Sequence, residues 1–286
     1  MEDSIIIEGR KTFFFATDIA FLPESHLEGF LAHGYETYII DDFRFCPLEK
    51  KVEIILKTFP DAILFFFIDN DIGINWELYI AKLQSQNSGK DIMIGVLYMK
   101  RQSESERLAL EKYYLFDVGI QCGCIAMEFQ KAKNFALIDR VMFVNQACGR
   151  RKNIRALGDS MSKANFEYDR AFINGMICDI SLSHFSFMPD PSKTYPLIPI
   201  NTKIKDFAIA FKDMHFRVRA SLAIKREING HVLHIFLFEK HDGMPGLDEP
   251  IAGQLSQKIY KTVSDKIKML LREKFDDYVK NAKLIK

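Results

Sequence analysis

The sequence of 286 residues predicts two domains of different class: an α/β domain on a doubly wound parallel sheet, then a small antiparallel six-stranded barrel closed by a long C-terminal helix. Three observations predict it. Over residues 1–147, uniformly apolar runs of strand length alternate with helical patterns. Beyond Arg155 the texture changes to short strands separated by turn residues. Residues 250–283 then carry a long apolar repeat opened by Pro250.

In the first domain, strands are predicted at residues 12–16, 35–40, 62–68, 92–98 and 123–127. Helical spacing fills the gaps: 24–31 through Leu27, Phe30 and Leu31, then 48–56, 76–83, a charged stretch at 103–115, and 132–146 with Phe135, Ile138, Met142 and Phe143 on one face. Strands without polar alternation must be covered on both faces, which requires a parallel sheet with helices on either side.

In the second domain, strands are predicted at residues 166–168, 172–181, 185–188, 205–211, 215–224 and 231–238. Turn chemistry lies between them, with Pro189-Asp190-Pro191, Lys212-Asp213 and Asn229-Gly230, the last a strong hairpin signal. Six short antiparallel strands close best as a barrel.

Pro250 behind Asp248-Glu249 opens the terminal helix with acids near its positive end. Its apolar positions, Ile251, Leu255, Ile259, Val263, Ile267, Leu271, Phe275 and Val279, recur every four residues, a spacing that drifts by about 40° per step around an α-helix. The first half is expected to cover the barrel. The second half must find another surface, either the N-terminal domain or a second subunit in a homodimer. Nine Lys/Arg against four Asp/Glu over residues 250–286 read as a solvated face.

Composition narrows the function. An apolar share of 48%, a charged share of 27% and a formal charge of +1 describe a folded chain without the basic surplus of a nucleic-acid or anionic-membrane binder. The five scattered cysteines (Cys46, Cys122, Cys124, Cys148, Cys178) read as reduced thiols, Cys122 and Cys124 as small buried groups near the fifth strand. Met1-Glu2-Asp3-Ser4 has no basic leader, and the longest uncharged apolar tract, residues 62–68, is far below the roughly 20 residues of a membrane span. A cytoplasmic protein is expected. The seven histidines are dispersed, and no nucleophile elbow, zinc-protease motif or glycine-rich dinucleotide loop occurs, so neither an enzyme, a metal site nor a bound cofactor is expected.

The local exception to this neutral surface is the basic cluster Arg150-Arg151-Lys152-Asn153-Ile154-Arg155, followed by Cys178-Asp179-Ile180-Ser181-Leu182-Ser183 inside an apolar strand. The spacing Arg151-x-x-x-Arg155, with Asp179-x-Ser181 arriving 24 residues after Arg155, resembles the PilZ domain, a bacterial receptor module for cyclic di-GMP. The resemblance implies that Arg151 and Arg155, on the linker at 148–157, bind phosphate and guanine edge. It implies that Asp179 accepts from guanine N1 and N2 and that Ser181 fixes the ligand or the strand, with Arg150 an additional cation for a stacked pair of ligands. A planar guanidinium fork suits both phosphate and guanine geometry better than a lysine. His184 stands where the family has Gly, a position that supplies positive φ or close backbone approach, and histidine visits left-handed φ only uncommonly. Both His184 and His234 read as imidazoles satisfied at a barrel edge.

The first domain resembles the receiver domains of two-component systems in architecture. The first strand is followed by one carboxylate, Asp18, and Met127-Glu128 stands where receivers carry Lys. Asp69 and Asp71 therefore read as solvated loop-tip residues, and phosphorylation is not expected. The combined expectation is a signalling receptor, with domains at 1–147 and 148–286, that converts cyclic di-GMP binding at the linker into a change of domain arrangement and of binding to a protein partner. The alternative is a PilZ-like adaptor that acts through protein contacts without binding nucleotide.

Overall fold

A computed structural model describes residues 9–16, 22, 24–40, 45–99, 101, 103–149, 153–228 and 230–284. Arg150, Arg151, Asp18 and Asn229 lie outside the described residues. The chain divides into two compact units, residues 1–152 with 267–286, and residues 153–266.

The first unit holds strands β1 (Thr12–Phe15), β2 (Thr37–Ile40), β3 (Ile63–Phe67), β4 (Met93–Met99) and β5 (Cys124–Met127), separated by helices α1 (Glu24–Ala32), α2 (Leu48–Thr58), α3 (Trp76–Gln86) and α4 (Glu104–Lys112), and followed by α5 (Lys131–Val144). All pairs are parallel, in the order β2-β1-β3-β4-β5. The uniform apolar runs are explained by double-sided burial. Phe13, Phe15, Leu64 and Phe66 share a core with Val52, Ile55, Ile80 and Leu83 of α2 and α3. Phe14 and Phe65, of opposite parity, stack on each other at 5.2 Å. Helix α4 runs on as a π-helix over Tyr113–Val118, ended by Gly119 at φ 76°.

Asp69, at the carboxyl end of β3, departs from the solvated residue expected. Its Oδ2 accepts the Met99 N–H at 2.6 Å, and its two oxygens take both Nη groups of Arg101, leaving the side chain 18% exposed. The carboxylate ties the ends of β3 and β4 together. Asp71 is exposed, and its Oδ1 accepts the Gly73 N–H at 3.1 Å. Cys122 is buried and Cys124 half-buried, and burial pushes both thiols up to about 12.

The second unit contains β6 (Ala156–Leu157), β7 (Lys163–Tyr168), β8 (Ala171–Ile180), β9 (His184–Pro189), β10 (Lys203–Phe211), β11 (Met214–Ile228) and β12 (His231–Glu239). The order β6-β8-β7-β10-β11-β12-β9, with β8 also paired to β9, closes six antiparallel strands into a barrel. Its interior is aromatic: Phe166 meets Phe207 at 4.4 Å, and Phe185 stacks on Phe236 at 5.4 Å. Strand β6 escapes prediction, because two residues carry no periodicity.

Helix α6 (Ile251–Leu284) ends the described chain. Leu255 and Ile259 are buried in its first half, which belongs to the barrel unit. Ile267, Leu271 and Phe275 are part of the α/β core. The drifting stripe thus serves the N-terminal domain, one of the two surfaces the sequence leaves open. Among the described residues no helix is long and apolar enough to cross a membrane.

Candidate functional site

Alternation along β8 puts Ile173 and Ile177 inside the barrel, and strict continuation would put Asp179 inside as well. It does not, because the register against β9 slips between Ile177 and Asp179, so that Cys178 is an extra residue. The bulge reverses the phase: Ile180 is fully buried, and Asp179 faces outward with its side chain 18% exposed.

Strand β6 lies on β8 beside this bulge, pairing Ala156 with Ile180 and Leu157 with Asp179. One residue before that ladder, Arg155 extends its guanidinium along the outer wall. Its Nη1 stands 3.5 Å from Asp179 Oδ1, with the arginine side chain 29% exposed. The fold thus brings together two of the predicted site residues from positions 24 apart in sequence. A partly buried pair held by a single contact this long contributes only about 0–1 kcal/mol to stability. Arg150 and Arg151 lie outside the described residues.

Ser181 is fully buried. Its Oγ accepts the N–H groups of Ser183 (3.3 Å) and His184 (3.2 Å) and donates to the His184 carbonyl at 3.1 Å. A hydroxyl has one proton and two lone pairs, so its own turn takes up its full capacity. Ser181 N–H also donates to His184 O at 2.9 Å, closing a two-residue loop of Leu182 and Ser183. Tight hairpins commonly need left-handed residues. Here none is used: the described non-glycine residues of positive φ are Ala16, Gln146, Asp169, Arg170, Asn201 and Lys212. The serine side chain holds the loop instead.

His184, at the position where the resemblance would put Gly, is not among the residues of positive φ. His184 opens β9 in register with Leu237, and its Nδ1 lies 2.8 Å from Ser183 Oγ and 3.0 Å from Ser181 Oγ. His234 differs from the satisfied edge imidazole expected. It is buried beside Phe236, its Nδ1 has no hydrogen-bond partner among the described residues, and burial, with Lys225 nearby, lowers its pKa to about 4.

Sequence reasoning misses the residues after β6. Gly158 N–H donates to Cys178 O at 2.9 Å on one side of the bulge, and Ile177 N–H donates to Ser162 O at 2.9 Å on the other. Asp159 closes the intervening turn. Its Oδ1 accepts from Met161 N–H (3.1 Å) and Ser162 Oγ (2.9 Å), and its Oδ2 takes Lys212 Nζ at 2.6 Å. These bonds, Lys212 first, hold the Asp159 carboxyl down to about 2. Leu157-Gly158-Asp159-Ser160 carries turn chemistry that could have marked the loop. Among the described residues no group of three or more His, Cys, Asp or Glu is placed to hold a metal ion.

No family model matches the chain, and no curated protein matches it in sequence. Among solved structures it is similar to YcgR from Escherichia coli in complex with c-di-GMP, at 15% identity over 46% of this chain and 51% of that one, with a TM-score of 0.35. It is also similar to the K. pneumonia MrkH–c-di-GMP complex, at 12% identity over 43% of this chain and 55% of that one, TM-score 0.32. A third similarity is to the Bacillus subtilis inhibitor of motility MotI/DgrA, at 9% identity over 39% and 50%, TM-score 0.31. The chain spans about half the length of each of these three proteins. Likeness at this level identifies no family, and the site rests on its own residues.

Proposed function

We propose that the barrel unit is a non-enzymatic receptor for cyclic di-GMP, with Arg155 and Asp179 at the centre of its site. The observation that carries this reading is their meeting on the outer barrel wall, 3.5 Å apart. A guanidinium donates in a planar fork to phosphate oxygens or to guanine O6 and N7, and a carboxylate accepts from the guanine N1–H and N2–H groups. A cation and a carboxylate side by side complement both the acceptors and the donors of one guanine. The sequence pattern adds Arg151, and Arg150 for a second ligand, as phosphate partners, while Ser181 holds the strand that presents Asp179. On this reading ligand capture at the linker changes the domain arrangement and, through it, the affinity for a protein partner.

A second reading is favoured by two observations. Arg155 and Asp179 neutralise each other, and the Ser181 hydroxyl is spent on its own turn. A silent site of this kind belongs to an adaptor that works through protein contacts alone. Calorimetric titration of the full chain with cyclic di-GMP, with GTP and cyclic GMP as controls, separates the two. Saturable heat with cyclic di-GMP alone supports the receptor; no heat with any of the three supports the adaptor.

A further inference from the structure

The candidate site depends on a register that β6 is too short to hold alone. Two residue pairs, Ala156 with Ile180 and Leu157 with Asp179, place Arg155 beside the carboxylate. Beyond these pairs lies a clamp across the Cys178 bulge, with Gly158 N–H on Cys178 O and Ser162 O on Ile177 N–H. At Gly158 there is no room for a side chain: a Cβ would lie 1.9 Å from the Ile177 carbonyl oxygen and 2.9 Å from its carbon. These are backbone atoms of a strand paired on both edges, Ile177 with Phe187 on one side and the β7 ladder ending at Met176 on the other. They cannot yield without breaking the barrel wall. Gly158 is therefore required for space rather than for backbone conformation, since its φ is not positive.

We infer that Gly158 is a positioning residue of the nucleotide site: its missing Cβ lets β6 lie against the bulge and so delivers Arg155 to Asp179. This rests on the receptor reading only for the identity of the ligand. Any larger residue lifts β6 from β8 at Gly158, three residues from Arg155, and draws the guanidinium away. The far end of the clamp is fixed independently. Ser162 is fully buried, and Asp159 binds Met161, Ser162 and Lys212. The strain of a Cβ is therefore released towards β6 and Arg155 rather than into β7.

The test is Gly158→Ala in the full chain, read three ways: calorimetric affinity for cyclic di-GMP, the Arg155 Nε–Hε signal by NMR, and the methyl signals of Ile173, Ile177 and Leu222. The expected result is affinity weakened by about ten-fold or more, the loss of one charge-assisted contact. The Arg155 signal moves to its free-arginine position, while Ile173 and Leu222 keep their shifts. An unchanged Arg155 signal in the folded variant overturns the inference. If the wild-type chain does not bind cyclic di-GMP, the receptor reading fails, and the Arg155 signal still decides the role of Gly158. Should the alanine variant not fold, Asp159→Asn with Ser162→Ala loosens the same clamp. A shifted Arg155 signal in that variant supports the inference and an unshifted one contradicts it.

Discussion

Arg155 Nη1 lies 3.5 Å from Asp179 Oδ1 because a bulge at Cys178 turns the aspartate out of the barrel and a two-residue strand lays the arginine beside it. The pair is half-buried and its contact is long, so it can be exchanged for a ligand at little cost in stability. Arg155→Ala is expected to weaken cyclic di-GMP binding by roughly 10- to 100-fold, the value of a charge-assisted hydrogen bond of about 1.5–3 kcal/mol. The Arg155–Asp179 contact itself is expected to account for no more than about 1 kcal/mol of any stability the variant loses. Titration and differential scanning calorimetry of one preparation check both.

His234 gives the barrel an acid sensitivity of defined sign. A histidine of the unfolded chain titrates near 6.5, whereas burial holds His234 down to about 4. Above about pH 6.5 neither state binds the proton; between 6.5 and 4 only the unfolded chain does, so stability falls as the pH drops across that window. His234→Leu is expected to remove this slope. Thermal midpoints at pH 7.5 and 5 check it, and an unchanged difference between them in the variant would contradict the assignment.

Asp159 acts lower on the pH scale. Its folded value of about 2 lies below the ordinary 3.8, so its contribution is complete above pH 4 and is lost as the pH falls from there towards 2. Lys212→Met, which removes the first cause of the shift, is expected to lower the thermal midpoint at pH 7 and to leave it nearly unchanged at pH 2. Melting curves at the two pH values test this.

Asp69 is committed to Met99 and Arg101. Incubation with acetyl phosphate and magnesium is expected to add no phosphate to Asp69, as read by intact mass and peptide mapping. Arg101→Ala leaves a partly buried carboxylate with one backbone donor in place of its bidentate partner and is expected to destabilise the α/β unit by roughly 1–3 kcal/mol, measured by denaturant unfolding.

The architecture is legible in the sequence because its signals are collective. Phe13-Phe14-Phe15 and Leu64-Phe65-Phe66 can be buried on both faces only in a covered parallel sheet, and the four-residue stripe of α6 requires more than one surface. At the candidate site, a spacing that resembles the PilZ pattern singles out Arg155 and Asp179, and the fold brings the two together. The bulge that turns Asp179 outward is not legible, because Ile173 and Ile177 alternate regularly up to the point where the phase breaks. Gly158 escapes for a related reason: its requirement is set by the Ile177 carbonyl, a neighbour 19 positions away. At His184 the family pattern puts conformational freedom in a glycine, whereas here Ser181 Oγ bonds the same loop through its side chain, a solution that spacing alone does not reveal. Asp69 reads as a loop tip because nothing local announces a partner at position 101.

On the receptor reading, Arg155 and Asp179 form a guanine-reading site that Arg151 completes. The most direct test is calorimetric titration of the full chain and of the Arg151→Ala/Arg155→Ala double variant with cyclic di-GMP. The expected result is micromolar or tighter binding by the wild-type chain, on the scale of about 8 kcal/mol for a micromolar complex, and none by the double variant while the barrel stays folded. Wild-type affinity retained by the folded double variant would contradict it.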